Sequence, residues 1–168
     1  MPKKNSPETL ALAMDYAAAM EACAAYVLVN KPTIRSPEDA YRFVRPVMTA
    51  ATGGDRQETF FVILLSTKNK PLGVPHECAR GLLDSCPVHP AIVLRKAITE
   101  SAASVILAHT HPSADPTPSK EDIDITRRLV EAAKIIGIRI TDHIICGRPS
   151  DTSPGYVSLR EKNLVSFD

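Results

Sequence analysis

The sequence predicts an α/β fold: a mixed β-sheet flanked by helices and preceded by short N-terminal helices. Three observations carry this reading. Two continuous apolar runs of strand length, Thr59 to Ser66 and Ser104 to His109, have the pattern of strands buried on both faces. Segments with helical apolar spacing lie before and between them. A third apolar run, Ile138 to Cys146, follows a long helical stretch, and strands alternating with helices pack as layered α/β structure.

The elements follow in order. Ser6-Pro7-Glu8 offers a cap, a first-turn proline and an early acid, so a helix is expected from there to about Val29. Leu10, Met14, Ala17, Met20, Ala24 and Val27 would share one face of it. Asn30-Lys31-Pro32 breaks it, and Ser36-Pro37-Glu38-Asp39 opens a second, amphipathic helix to about Ala50. The first buried strand comes next. Lys68-Asn69-Lys70-Pro71 is a turn, and Leu72 to Ala79 is expected to pair back. His89-Pro90 opens a helix to about Ala103, ahead of the second buried strand. His111 to Pro118 is a loop of turn formers. Ser119 starts a helix to about Ile136, which Gly137 stops. A polar loop from Arg148 to Gly155 leads to a short strand near Tyr156 and a terminal helical turn. The expected division is an Ala-rich helical extension over 1–35 and one domain over 36–168.

Composition narrows the function. The chain has 168 residues, and with 44% apolar residues it can bury a core. Its 20 Lys and Arg against 19 Asp and Glu give a net charge of +1, which argues against a strongly basic nucleic-acid binder. Cys23, Cys78, Cys86 and Cys146 show no CxxC spacing and read as reduced thiols, which points to the cytoplasm. Leu10 to Val29 is mostly apolar, but Asp15 and Glu21 inside it are costly in a bilayer, so no membrane partner is expected. Lys3 and Lys4 resemble the start of a signal peptide, yet Asp15 interrupts the apolar stretch too early.

The chemistry concentrates in HTHPSADPTPSKED, residues 109–122. His109 and His111, two apart on extended chain, point to one face at the end of a strand, where open α/β sheets place ligand sites. Asp122 falls in the first turn of the next helix, so its carboxylate can swing back to the same point. Two imidazoles and a carboxylate suit Zn²⁺ with a fourth position left for water. The plainer alternative is also open from spacing alone. A lone HxH is often structural, and Ser119 and Asp122 are ordinary helix-start residues.

This stretch resembles the JAMM (MPN+) metalloprotease signature H-x-H-x(7)-S-x-x-D. It is closer still to the version in bacterial RadC-type proteins, HxHPSGDPxPSxxD. The similarity extends from Ser36-Pro37-Glu38-Asp39-Ala40-Tyr41 to about Phe167, through Gln57-Glu58, Leu83-Asp84-Ser85, Val88-His89-Pro90, Asp142-His143 and Tyr156-Val157-Ser158. The resemblance implies a JAMM/MPN-like fold, related to that of cytidine deaminases, with one Zn²⁺ per chain held by His109, His111 and Asp122. It implies Glu58 as general base and Ser119 as donor to the developing oxyanion. The implied reaction is hydrolysis of a peptide or isopeptide bond by a zinc-activated water, on a protein or peptide substrate. Ser85, Asp115 and His143 are candidates for the substrate groove or for support of the ligands. An Asx-turn is the favoured reading of Asp115, and a buried, hydrogen-bonded imidazole that of His143. His89 reads as a helix-start residue, and Cys86 has no partner that would make it a nucleophile.

Two positions depart from the pattern. Ala114 stands where the signature has glycine, and Cys86 where RadC-type chains commonly have serine. If residue 114 needs a positive φ, alanine strains the loop.

The main alternative is an accessory or binding module associated with DNA repair, as the family label suggests, with little or no hydrolase activity. The charge balance and the short stretch before the match weigh against it. A deaminase would need H-x-E with P-C-x-x-C, and neither is present. A catalytically lost domain is disfavoured by the complete residue set. The Ala-rich helix is compatible with a homodimer contact.

Overall fold

The computed structural model describes residues 15–52, 57–81, 88–111 and 113–168. Among them are four helices and five strands. In chain order these are α1 (Tyr16–Asn30), α2 (Pro37–Ala51), β1 (Thr59–Leu65), β2 (His76–Arg80), α3 (Pro90–Thr99), β3 (Ser104–Thr110), α4 (Lys120–Ile135), β4 (Arg139–Cys146) and β5 (Tyr156–Ser158). The strands form one mixed sheet in the order β2-β1-β3-β4-β5. Only the β3–β4 pair is parallel; α4 is the crossover between them.

β1 and β3 are buried at every residue, as their unbroken apolar runs require. Alternation sorts their side chains into two cores. Phe60, Val62, Leu64, Val105 and Leu107 face α3 and α4, meeting Val93, Leu94, Leu129 and Val130. Phe61, Ile63, Leu65, Ile106 and Ala108 face α2, meeting Val44, Val47 and Met48. α1 lies outside α2 and adds Tyr16, Met20, Cys23 and Val27 to that second core. Among the described residues no helix is long and apolar enough to cross a membrane.

β4 breaks the alternation once. Val105 pairs with Ile140, but Ile106 pairs with Asp142, leaving Thr141 as an extra residue. Ile140 and Ile145, five apart, consequently lie in the same core. The bulge turns His143 onto the α3/α4 face, opposite Leu107, where a regular strand would have put Asp142.

Several boundaries differ from the sequence reading. The helix start at Ser6-Pro7-Glu8 lies outside the described residues. Within them, Asp15 is extended and its carboxylate accepts from the Ala18 N–H at 2.7 Å, so α1 begins at Tyr16 and no single helix runs through Asp15. Ala17 is exposed; the packed stripe is Tyr16, Met20, Cys23 and Val27. β2 covers only His76–Arg80, because Leu72 is held by its N–H to the Leu64 carbonyl in a turn. The C-terminal residues after β5 form turns in place of a helix.

α3 ends at Thr99, short of Ala103. Ser101 adopts φ 51° and donates to Ile98, while Ala102 donates to Ala97, the two bonds of a Schellman stop. α4 ends in the same way with a true glycine, Gly137 at φ 73°. Ser101→Gly is therefore expected to raise stability by about 1 kcal/mol, since an L-residue is strained there. A urea unfolding curve whose midpoint does not rise would contradict this.

Candidate metal centre

Two histidines at the end of β3 meet one acid at the start of α4. His109 and His111 lie on the α3/α4 side, where parity with Leu107 places them. Ser119 caps α4 through a capping box: its hydroxyl accepts from the Asp122 N–H, and its own N–H donates to Asp122 Oδ2 at 2.7 Å. That fixes the Asp122 carboxylate over the histidines. Oδ1 is 3.0 Å from His109 Nε2, Oδ2 is 3.0 Å from His111 Nε2, and the two Nε2 atoms are 2.9 Å apart.

Glu58 closes the other side. It immediately precedes β1, and its backbone carbonyl is held by the Gly81 N–H at 2.9 Å. Glu58, His109 and His111 each bring a ligand atom within 4.8 Å of the others. The sequence placed these residues on separate elements; the fold gathers Glu58, His109, His111, Ser119 and Asp122 at one end of β1, β3 and α4.

The donor chemistry fits a cation. His111 Nδ1 is 2.9 Å from the Asp115 carbonyl, which can only accept, so Nδ1 carries a proton and the neutral ring keeps its lone pair on Nε2. The Asp122 carboxylate stays ionised. Burial pushes it up, but the bonds from His109 and His111 outweigh this and hold it well below the usual carboxylate range. Burial pulls His111 down, yet the adjoining Asp122 carboxylate wins and holds it above the ordinary value of 6.5. Positive charge is favoured at this point, and Glu58, His109 and His111 lie close enough together to hold a metal ion there. The His111 side chain is 15% exposed while His109 and Asp122 are essentially sealed, so the centre opens to solvent past His111.

Asp115 works through its backbone. Its carbonyl orients His111, while its carboxylate accepts from Thr117 N–H and Oγ–H at 2.9 and 2.7 Å, an Asx-turn. His143 is fully buried, 2.9 Å from His109 Nδ1 through its Nε2. Burial, and then the neighbouring His109, hold it well below the ordinary histidine value. Phe60 walls the pair, stacked on His109 with ring centroids 6.0 Å apart and edge-on to His143 at 5.4 Å. His89 caps α3, its Nδ1 accepting from Ala91. Ser85 and Cys86 lie outside the described residues. Sequence reasoning missed Thr126, whose hydroxyl is 2.6 Å from His143 Nδ1. Its only sequence signal was a position one helical turn past Asp122.

Ala114 and Pro116, between His111 and Ser119, are pressed against the end of β4. Ala114 adopts φ 60°, so the alanine that replaces the signature's glycine is strained. Its carbonyl accepts from the Arg148 N–H at 2.9 Å, and a Cβ at Gly147 would meet that carbonyl and the Pro116 ring. Ala114→Gly is expected to stabilise by about 1 kcal/mol and Gly147→Ala to destabilise by about 1–3 kcal/mol, read from denaturant midpoints.

His111 sets a pH dependence. Its folded pKa is raised above 6.5, so in the metal-free protein its proton contributes stability in full below pH 6.5. That contribution is lost as pH rises through the folded value. A cation competes for the same Nε2, so zinc affinity is expected to fall as pH drops through that value, with about one proton displaced per ion. Zinc titrations across that range check this; a pH-independent affinity would contradict it.

Comparison with known proteins places the chain. A family model described as RadC-like JAB domain matches residues 34–164. A protein named UPF0758 protein from Bacillus pumilus is 44% identical over 136 residues, 81% of this chain and 56% of that protein. A UPF0758 protein of Symbiobacterium thermophilum is 45% identical over 132 residues, 78% of this chain and 52% of its own. One from Geobacillus sp. is 46% identical over 134 residues, 79% and 54%. The chain thus spans about half the length of these curated relatives, whose names state no activity. With its mixed five-stranded sheet, its flanking helices and a family match over most of its length, the chain belongs to the RadC-like JAB domain family.

Proposed function

We propose that the chain is a zinc-dependent hydrolase of peptide or isopeptide bonds. The observation that carries this reading is the meeting of His109 Nε2, His111 Nε2 and the Asp122 carboxylate within 3.0 Å, with the Glu58 carboxylate alongside. Membership of the JAB family, whose wider superfamily includes metalloproteases, supports it. A zinc ion bound by His109, His111 and Asp122 would supply Lewis acidity and make water acidic near neutral pH.

The remaining work falls to the chain's own groups. A Glu58 carboxylate oxygen takes the proton of the attacking water as the new C–O bond forms, then delivers it to the leaving nitrogen as the C–N bond breaks. Ser119 Oγ uses a lone pair to cap α4, which leaves its own proton to donate to the carbonyl oxygen as that oxygen gains charge. Asp122, ionised and gripping both imidazoles, keeps the ligand geometry in place. The substrate, a protein or peptide segment, enters from the open His111 side.

The test is zinc content by plasma mass spectrometry, paired with a screen of peptide and isopeptide-linked fluorogenic substrates. Wild type and Glu58→Gln are expected to carry about one zinc per chain, and Asp122→Ala little. Glu58→Gln should lose hydrolysis by at least ~100-fold while keeping zinc. A wild type that cannot be loaded with zinc, or a Glu58→Gln variant as active as wild type, overturns the reading.

A further inference from the structure

Beneath the ligands, a line of hydrogen bonds runs through the core to a point where its direction is fixed. Thr126 Oγ1 lies 2.5 Å from the Asp122 backbone carbonyl and 2.6 Å from His143 Nδ1. A carbonyl only accepts, so the single Thr126 proton points at it. Thr126 Oγ1 must then accept from His143, which places the proton of the neutral His143 ring on Nδ1. His143 Nε2 is left with a lone pair, 2.9 Å from His109 Nδ1. His109 Nδ1 is therefore the donor, so the neutral His109 ring has its lone pair on Nε2, the atom that faces His111 and Asp122.

With His109, His111 and Asp122 read as ligands, we infer that His143 and Thr126 are positioning residues of the metal centre. They hold His109 in the one tautomer whose Nε2 can bind a cation. His109, Thr126 and His143 all have zero exposure, so solvent does not reset the order. The arrangement is built in two places. The β4 bulge turns His143 toward His109, and Thr126 sits one turn past Asp122, so a ligand and the end of the line share α4. Histidine ligands are commonly oriented by an acceptor on the second ring nitrogen; here that acceptor is a third imidazole in place of the usual carboxylate or carbonyl. His111 has the usual kind, the Asp115 carbonyl. The two ligands are thus oriented by separate parts of the chain.

A purely space-filling His143 would need only its shape, and this separates the two roles. The probe is Zn²⁺ alone, titrated against a chromogenic chelator with the full chain. His143→Leu keeps bulk but offers no acceptor, and is expected to weaken zinc binding roughly 10–100-fold. His143→Gln returns an acceptor oxygen and should recover most of the loss. Thr126→Val should weaken binding and Thr126→Ser should restore it. Long-range ¹H–¹⁵N NMR of the wild type, which needs no variant to fold, should show His109 protonated on Nδ1. His143→Leu binding zinc as tightly as wild type while Asp122→Ala does not would overturn this inference alone. His109 carrying a proton on Nε2 and none on Nδ1 would overturn it as well. Asp122→Ala binding as tightly as wild type would overturn the ligand assignment and this inference with it.

Discussion

The Asp122 carboxylate joins the folding of α4 to the chemistry at the end of β3. As a helix-start residue it closes the capping box with Ser119, satisfying backbone groups that would otherwise be orphaned. Its capping oxygen Oδ2 also reaches His111, and its Oδ1 reaches His109. Burying a carboxylate is costly unless several donors meet it, and here the Ser119 N–H and two imidazoles do so together. Because one group serves both ends, the first turn of α4 cannot shift without moving the centre. α4 is itself anchored by Leu129, Val130 and Ala133 in the core beneath.

The sheet supplies the other half of the geometry. β1 and β3 pair antiparallel, which brings Glu58 beside the end of β3, and β4 pairs with β3 in parallel, which brings His143 beneath His109. A single extra residue in β4 decides what lies there. Without the bulge at Thr141, the residue facing His109 from below would be off by one, and Asp142 would take the place of a neutral ring. With it, Asp142 faces elsewhere and binds the backbone of Arg160 and the hydroxyl of Ser158, fastening the turns that follow β5. The bulge thus separates a centre-facing histidine from a fold-fastening aspartate that are adjacent in the chain.

The loop over the centre is held in part by close backbone approach at Gly147. Gly147 lets β4's exit pass against Ala114 and Pro116, and Tyr41 of α2 donates to the Gly147 carbonyl at 3.2 Å. The left-handed φ at Ala114 shows that the loop's path is imposed by these contacts, since alanine would not choose it. Support on both sides keeps the Asp115 carbonyl aimed at His111 Nδ1.

Much of this was readable from residues 59–66 and 104–122. Unbroken apolar runs announce doubly buried strands, the His109–His111 spacing announces a shared face, and Ser119 followed by Asp122 announces a helix start turned toward it. These are local rules with a period or an offset, and local rules survive in a sequence. The role of Asp115 was half legible: its turn was foreseen, but which backbone carbonyl meets an imbidazole ring depends on how the loop closes. The place of His143 was not legible in detail, because a bulge changes the parity of every residue after it and arises only when two strands register against each other. Thr126 carried no distinguishing pattern at all. So the sequence by itself determined the fold class and brought His109, His111 and Asp122 forward as candidates to hold a cation. Only the tertiary structure decided which partners set the proton on each imidazole, because that order is dictated by contacts between residues far apart in the chain.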